Sequence, residues 1–191
     1  MPSTAEPAPQ DPERTAVVHV AHETALAPLA RRLAAALPRP AFIALRGDLG
    51  AGKTTFVKAV AAAAGIDPTE VVSPTFGLLH EHVGKTASIL HADMYRLPDA
   101  DALFELGWHD ALSRADWAFV EWPERIVAAL PADRLDVSIT IESLSGRIFT
   151  FASRSPRYDA VVDAVVDAVV DAVVDAVVDA VVDAVVEPDV P

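Results

Sequence analysis

Gly47, Gly52, Lys53 and Thr54 stand in the spacing G-x-x-x-x-G-K-[ST] within GDLGAGKTT, residues 47–55. That pattern suits a polyphosphate anion. Glycines at 47, 50 and 52 let the backbone wrap closely enough for successive N–H groups to point inward, and the helix that follows adds the positive end of its dipole. Lys53 supplies a mobile charge for the β- and γ-phosphates, and Thr54 a hydroxyl for the Mg²⁺ that bridges them. The segment from Gly47 to Thr55 thus reads as a P-loop that holds ATP and magnesium.

A phosphate turn alone does not hydrolyse ATP, so a carboxylate must organise the metal and its waters. Glu121 ends the apolar run that starts at Trp117, which is where a Walker B acid belongs, and Asp93 in HADMYRL, after another strand-like run, is a second candidate. Ser73, Pro74 and Thr75 form a kinked polar segment where nucleotide-sensing switch loops lie; Thr75 is a candidate γ-phosphate sensor, although Ser-Pro also marks ordinary turns. His80 and His82 share one strand face and, with His91, raise the question of zinc. Six scattered histidines with no cysteine and no H-E-x-x-H read more simply as solvated or core residues, so no zinc is expected. Trp108, Trp117 and Trp122 read as packing residues, with Trp122 next to Glu121.

Regular elements must carry these side chains. A β-rich run spans Thr15 to Val20, and Thr24 stands where it would cap a helix with Leu26, Leu29, Leu33 and Leu37 on one face, ended by Pro38 and Pro40. Ala41 to Leu45 is a continuous apolar run, as in a strand buried on both faces, and leads straight into the glycine turn. Phe56, Val57, Val60 and Ala64 then keep helical spacing up to Gly65. Gly77 to Val83 and Thr86 to Ala92 suggest a hairpin around Gly84 and Lys85, Pro98 and Asp99 open a short helix closed by Gly107, and Pro123 to Leu130 is another short helix. Leu135 to Ile141 and Arg147 to Phe151 make a last strand pair. Alternating strands and helices followed by strands predict an α/β sandwich with a mixed sheet.

The 191 residues divide into a leader (1–14), an ATPase domain (15–155) and a tail (156–191). Four prolines and several charges leave the leader nothing to bury, and it is expected to be neither signal peptide nor anchor. Residues 159–186 repeat DAVV seven times. As a helix each repeat turns 400°, so the Asp row drifts by about 40° per repeat and no constant apolar face is expected. The tail is therefore expected to be a low-complexity appendage, disordered or weakly helical, with no part in function.

Nine of the 28 acidic residues lie beyond residue 158, and every Lys and Arg lies before it, so the overall charge of −13 falls to −4 for the rest of the chain. No basic tract marks a nucleic-acid surface. The absence of cysteine excludes disulfides, thiolate metal sites and a cysteine nucleophile. Asp at every fourth position bars the tail from a bilayer, so no membrane role and a cytoplasmic location are expected.

Taken in order and spacing, GDLGAGKTTF, SPTF, HADMYRL, the ELG of Glu105 to Gly107 and VEWPER resemble the TsaE family, the bacterial ATPases required for threonylcarbamoyladenosine modification of tRNA. The likeness covers roughly residues 15–152. It implies a P-loop NTPase-like three-layer sandwich with a mixed, mainly parallel sheet, and an ATPase acting with TsaB and TsaD, which carry the transfer to tRNA. It implies phosphate contacts from Gly50, Ala51, Gly52, Lys53, Thr54 and Thr55, magnesium ligation by Thr54 and Glu121, and a role in hydrolysis for Asp93. Glu23 and Arg147 match positions where the family contacts the nucleotide. The leader and the repeats depart from the family pattern.

Two other functions use the same turn. A small-molecule kinase would need an acceptor pocket and usually an arginine-rich lid, whereas Arg96, Arg114 and Arg125 are isolated in the sequence. A nucleotide-gated binding subunit would bind ATP with only incidental hydrolysis. With no NKxD-type motif, ATP is expected over GTP.

Overall fold

The computed structural model describes residues 14–75, 77–98, 102–168 and 170. The leader up to residue 13, residues 99–101 at the start of the expected helix, and the repeats beyond residue 170 lie outside the described residues. Seven strands form one sheet in the order β1-β7-β6-β2-β5-β4-β3. They are β1 (Arg14–Val20), β2 (Ala41–Arg46), β3 (Leu79–Val83), β4 (Ser88–Asp93), β5 (Trp117–Glu121), β6 (Leu135–Ile141) and β7 (Arg147–Ser153). The middle strands β6, β2, β5 and β4 run parallel, while β1-β7, β7-β6 and β3-β4 are antiparallel. The sheet is mixed as expected, with antiparallel pairs on both flanks as numerous as the parallel pairs at its centre.

Apolar patterning decides which strands lie in the middle. β2 and β5 are apolar at nearly every position and are buried along almost their whole length, because helices cover both faces of the sheet there. One face packs against α1 (Leu26–Ala36) and α2 (Lys53–Ala63). The other packs against α3 (Ala102–Glu105), α4 (Trp108–Arg114) and a 3-10 segment, Pro123–Ala129, which kinks at Ile126. Phe56 of α2 is fully buried among Phe119, Phe149 and Phe151, with ring centroids 5.3–6.5 Å away, and so locks α2 against β5 and β7. At the far end of α2 the Ile66 N–H donates to the Ala61 carbonyl and the Gly65 N–H to the Ala62 carbonyl, a double bond pattern that ends the helix at the expected glycine.

Three local expectations change. Thr24 caps no helix: its hydroxyl lies 2.6 Å from His22 Nδ1, and the chain enters α1 through the 3-10 turn Glu23–Ala25. Gly107 follows the short helix α3 as expected and, in αL geometry, also stands at the start of α4, a further helix that the sequence reading did not include. The spacing of Trp108, Ala111 and Leu112 was its signal.

The third change concerns the tail. Residues 159–168 are helical, here termed α5, and Tyr158, Val161, Val162, Val165 and Ala168 are buried in the same cluster as α1 and α2. The ordered domain therefore runs past residue 155, and the first repeats belong to it. Over so few repeats the drift is small enough for positions i, i+3, i+4 and i+7 to share one face. The Tyr158 hydroxyl accepts the Phe42 N–H at 2.9 Å, Arg157 donates to the Pro40 carbonyl, and Arg14 pairs with Asp163.

These contacts separate neighbouring valines. Val165 is fully buried whereas Val166 is 44% exposed. Val165→Asp is expected to cost about 3 kcal/mol or more of folding free energy and Val166→Asp less than about 0.5, read from denaturant midpoints of the full chain.

Candidate functional site

The carboxyl ends of the parallel strands β2, β5 and β4 meet at one edge of the sheet, the usual place for a ligand in an α/β fold. After β2 the chain turns through Gly47, Gly50 and Gly52, with φ of 145°, 81° and 102°. At Gly47 space is limiting as well, since a Cβ there would meet the Ile139 carbonyl oxygen at 2.5 Å. Gly52 stands immediately before α2 and provides no side-chain cap, so the first N–H groups of that helix are left to an external acceptor.

Lys53 opens α2 and is 4% exposed. Its Nζ donates to the carbonyls of Gly47 at 2.6 Å and Asp48 at 3.0 Å, and lies 4.0 Å from the centroid of the Trp122 ring. Burial pushes its pKa below the ordinary lysine value, while the negative charges of Glu121, Asp93, Glu124 and Asp48 pull in the opposite direction. The ammonium is held by oxygens and a ring face in place of water.

Two carboxylates face each other across the register of β4 and β5, where Asp93 pairs with Glu121. Both are buried. Thr54 Oγ1 donates to Glu121 Oε1 at 2.7 Å, joining the start of α2 to the end of β5. Asp93 Oδ2 accepts from Ser73 at 2.7 Å and Thr75 at 2.9 Å, while its Oδ1 accepts the Tyr95 N–H at 3.0 Å. The loop that carries Thr75 is thereby tied to β4. Leu78 and Trp122, both with non-glycine positive φ (62° and 57°), border these carboxylates, backbone strain of the kind that collects at functional sites.

An open cleft of about 610 Å³ is lined by Gly50, Gly52, Lys53, Thr54, Thr55, Thr75, Asp93 and Glu121. A second cavity, of about 250 Å³, lies across the glycine turn and is lined by Glu23, Gly50, Ala51, Gly52, Thr55 and Arg147. Arg147 Nε donates to the Ala51 carbonyl at 3.0 Å, so β7 also braces the turn. The structure thus brings together every candidate site residue: Gly47 lines neither cavity but supplies the turn's first bend and a carbonyl to Lys53.

Sequence reasoning missed three contributors. Trp122 read as packing, yet its ring covers Lys53 and lines the cleft beside Tyr95, 4.9 Å away between centroids. Arg96, read as isolated, lines the same cleft. His91 is fully buried with Nε2 2.9 Å from Glu121 Oε1. Its place two residues before Asp93, on the same strand face, was the available signal. His80 and His82 lie 6.2 Å apart between ring centroids, and among the described residues no three metal-ligating side chains converge.

Comparison with known proteins matches residues 20–149 to the family described as threonylcarbamoyl adenosine biosynthesis protein TsaE. A protein of Bacillus subtilis named tRNA threonylcarbamoyladenosine biosynthesis protein TsaE is 36% identical over 130 residues, covering 67% of this chain and 80% of that protein. One of the same name from Aquifex aeolicus is 43% identical over 98 residues, covering 51% and 68%. The crystal structure of YdiB from Bacillus subtilis superposes with a TM-score of 0.65 at 25% identity, covering 81% of this chain and 95% of that one. The family match runs from Val20 to Phe149 and so takes in every candidate residue from Glu23 to Arg147; this chain belongs to the TsaE family.

Proposed function

We propose that this chain binds Mg·ATP in the cleft and hydrolyses it as the ATPase of tRNA threonylcarbamoyladenosine (t6A) biosynthesis, working in the cytoplasm with TsaB and TsaD. The observation that carries the reading is the hydrogen bond between Thr54 and Glu121 beside a buried, uncapped helix start. An all-oxygen pair of a hydroxyl and a carboxylate suits a hard divalent cation, and uncapped N–H groups beside Lys53 suit a phosphate chain. The fit extends to the second cavity, where Glu23 and Arg147 would meet the rest of the nucleotide.

In this reading Gly50 to Thr55 bind the phosphates through backbone N–H groups, and Lys53 leaves the Gly47 and Asp48 carbonyls to neutralise the β- and γ-oxygens. Thr54 and Glu121 would hold Mg²⁺, which when bound spreads the charge that develops on the phosphates. Asp93 orients the attacking water, and Thr75, now bonded to Asp93, reports the γ-phosphate to the loop it belongs to. Trp122 and Tyr95 shield the lysine side of the cleft from bulk water. The transfer to tRNA falls to the partners, in keeping with a net charge of −4 before the repeats and no basic stripe to grip a phosphate backbone.

Calorimetry and phosphate release test the roles separately. At saturating Mg²⁺, Lys53→Ala should weaken Mg·ATP binding by about tenfold or more, whereas Glu121→Gln and Asp93→Asn should keep binding within about threefold and lower turnover by about a hundredfold or more. Unchanged turnover in the Glu121 variant removes it from the mechanism. Phosphate release that rises with TsaB and TsaD supports the assembly role, and release that needs a small metabolite acceptor indicates a kinase. In a cell lacking its own TsaE, residues 1–170 should restore t6A in tRNA.

A further inference from the structure

We infer that His91 is a positioning residue for Glu121: it fixes the rotation of that carboxylate and thereby presets the Thr54–Glu121 oxygen pair for a divalent cation. The inference rests on the reading of Glu121 as the metal-organising carboxylate.

His91 is 0% exposed and Glu121 4%, so the contact between them is shielded from bulk water. The carboxylate can only accept, so Nε2 carries the hydrogen of the 2.9 Å contact. Nδ1 is buried with no hydrogen-bond partner among the described residues. With the hydrogen of the contact on Nε2, the ring presents its Nε2–H tautomer to Glu121. A leucine or methionine would fill the same space with no orphaned polar atom. Among the described residues, the bond to Glu121 is the contact that offsets the burial penalty of the imidazole.

The bond's placement gives it a use. Oε1 receives both the Thr54 hydroxyl and the His91 Nε2–H, so one carboxylate oxygen is held by two fixed donors from α2 and β4, and Oε2 takes part in neither bond. Two donors on one oxygen define both the position and the tilt of the carboxylate plane. A single donor from Thr54 would leave it free to rotate about that bond. Outer donors of this kind orient metal ligands and typically alter metal affinity by about ten- to a hundredfold. Strand alternation sets Asp93 on the same face two residues later, so β4 tethers Glu121 through one side chain and the Thr75 loop through the other.

The test uses the full chain and three variants, His91→Met, His91→Gln and Glu121→Gln. Calorimetry of ATP binding across a Mg²⁺ series, and in EDTA, separates cation-dependent from cation-independent affinity. His91→Met should bind ATP in EDTA like the wild type but need about tenfold more Mg²⁺ for the same gain in affinity; His91→Gln, whose amide N–H replaces the donor, should recover most of it. An unchanged Mg²⁺ requirement in His91→Met, or equal losses in the Met and Gln variants, overturns the positioning role. If Glu121→Gln also leaves the Mg²⁺ requirement unchanged, the reading of Glu121 itself fails and takes the inference with it. Should His91→Met not fold, ¹⁵N NMR of the wild-type imidazole decides: an Nε2–H tautomer whose resonance shifts in Glu121→Gln supports the role, and an Nδ1–H tautomer overturns it.

Discussion

The placement of one ammonium group governs the architecture. Lys53 is buried where a strand ends and a helix begins, and a charge taken out of water needs oxygen partners at once. Left-handed glycines supply them by turning the Gly47 and Asp48 carbonyls back onto Nζ. That turn in turn requires a rigid strand before it and an anchored helix after it. β2, sandwiched between β5 and β6, gives the first; Phe56, three residues along from Lys53 and wedged among three aromatic rings, gives the second.

Around the lysine, the acidic residues are arranged by sheet register. Parallel pairing of β4 with β5 sets Asp93 opposite Glu121, and each carboxylate is then bound by hydroxyls from a different part of the chain, Glu121 by Thr54 and Asp93 by Ser73 and Thr75. The two acids share a neighbourhood yet answer to different elements. That division leaves the Thr54–Glu121 pair tied to α2 and the loop with Thr75 tied to β4.

Much of this was visible in the residues themselves. Glycine spacing before Lys53, the unbroken apolar runs of β2 and β5, and an acid at the end of each of β4 and β5 mark the glycine turn and the carboxylates beside it, because positive φ calls for glycine and burial on both faces calls for apolar runs. What could not be read is contact across the fold. Nothing in the neighbours of Trp122 says that its backbone turns left-handed and lays the ring over Lys53, and His91 looked like a spare histidine until β5 was set beside β4. The repeat tail misled for another reason. Averaged over seven units its apolar stripe wanders, but over the described turns, residues 159–168, the stripe is coherent and buried.

That last point bears on how the gene for such a chain can change. Tandem identical units are prone to gain or lose copies by slippage, each event adding or removing four residues. Among the described residues the buried set from Tyr158 to Ala168 draws on Tyr158 and the first three units, and every unit has the same letters, so a chain that keeps three or more copies still presents the same valines to that core cluster. Sequence uniformity, a poor recipe for a unique core, here means that whichever three units come first supply the same buried side chains.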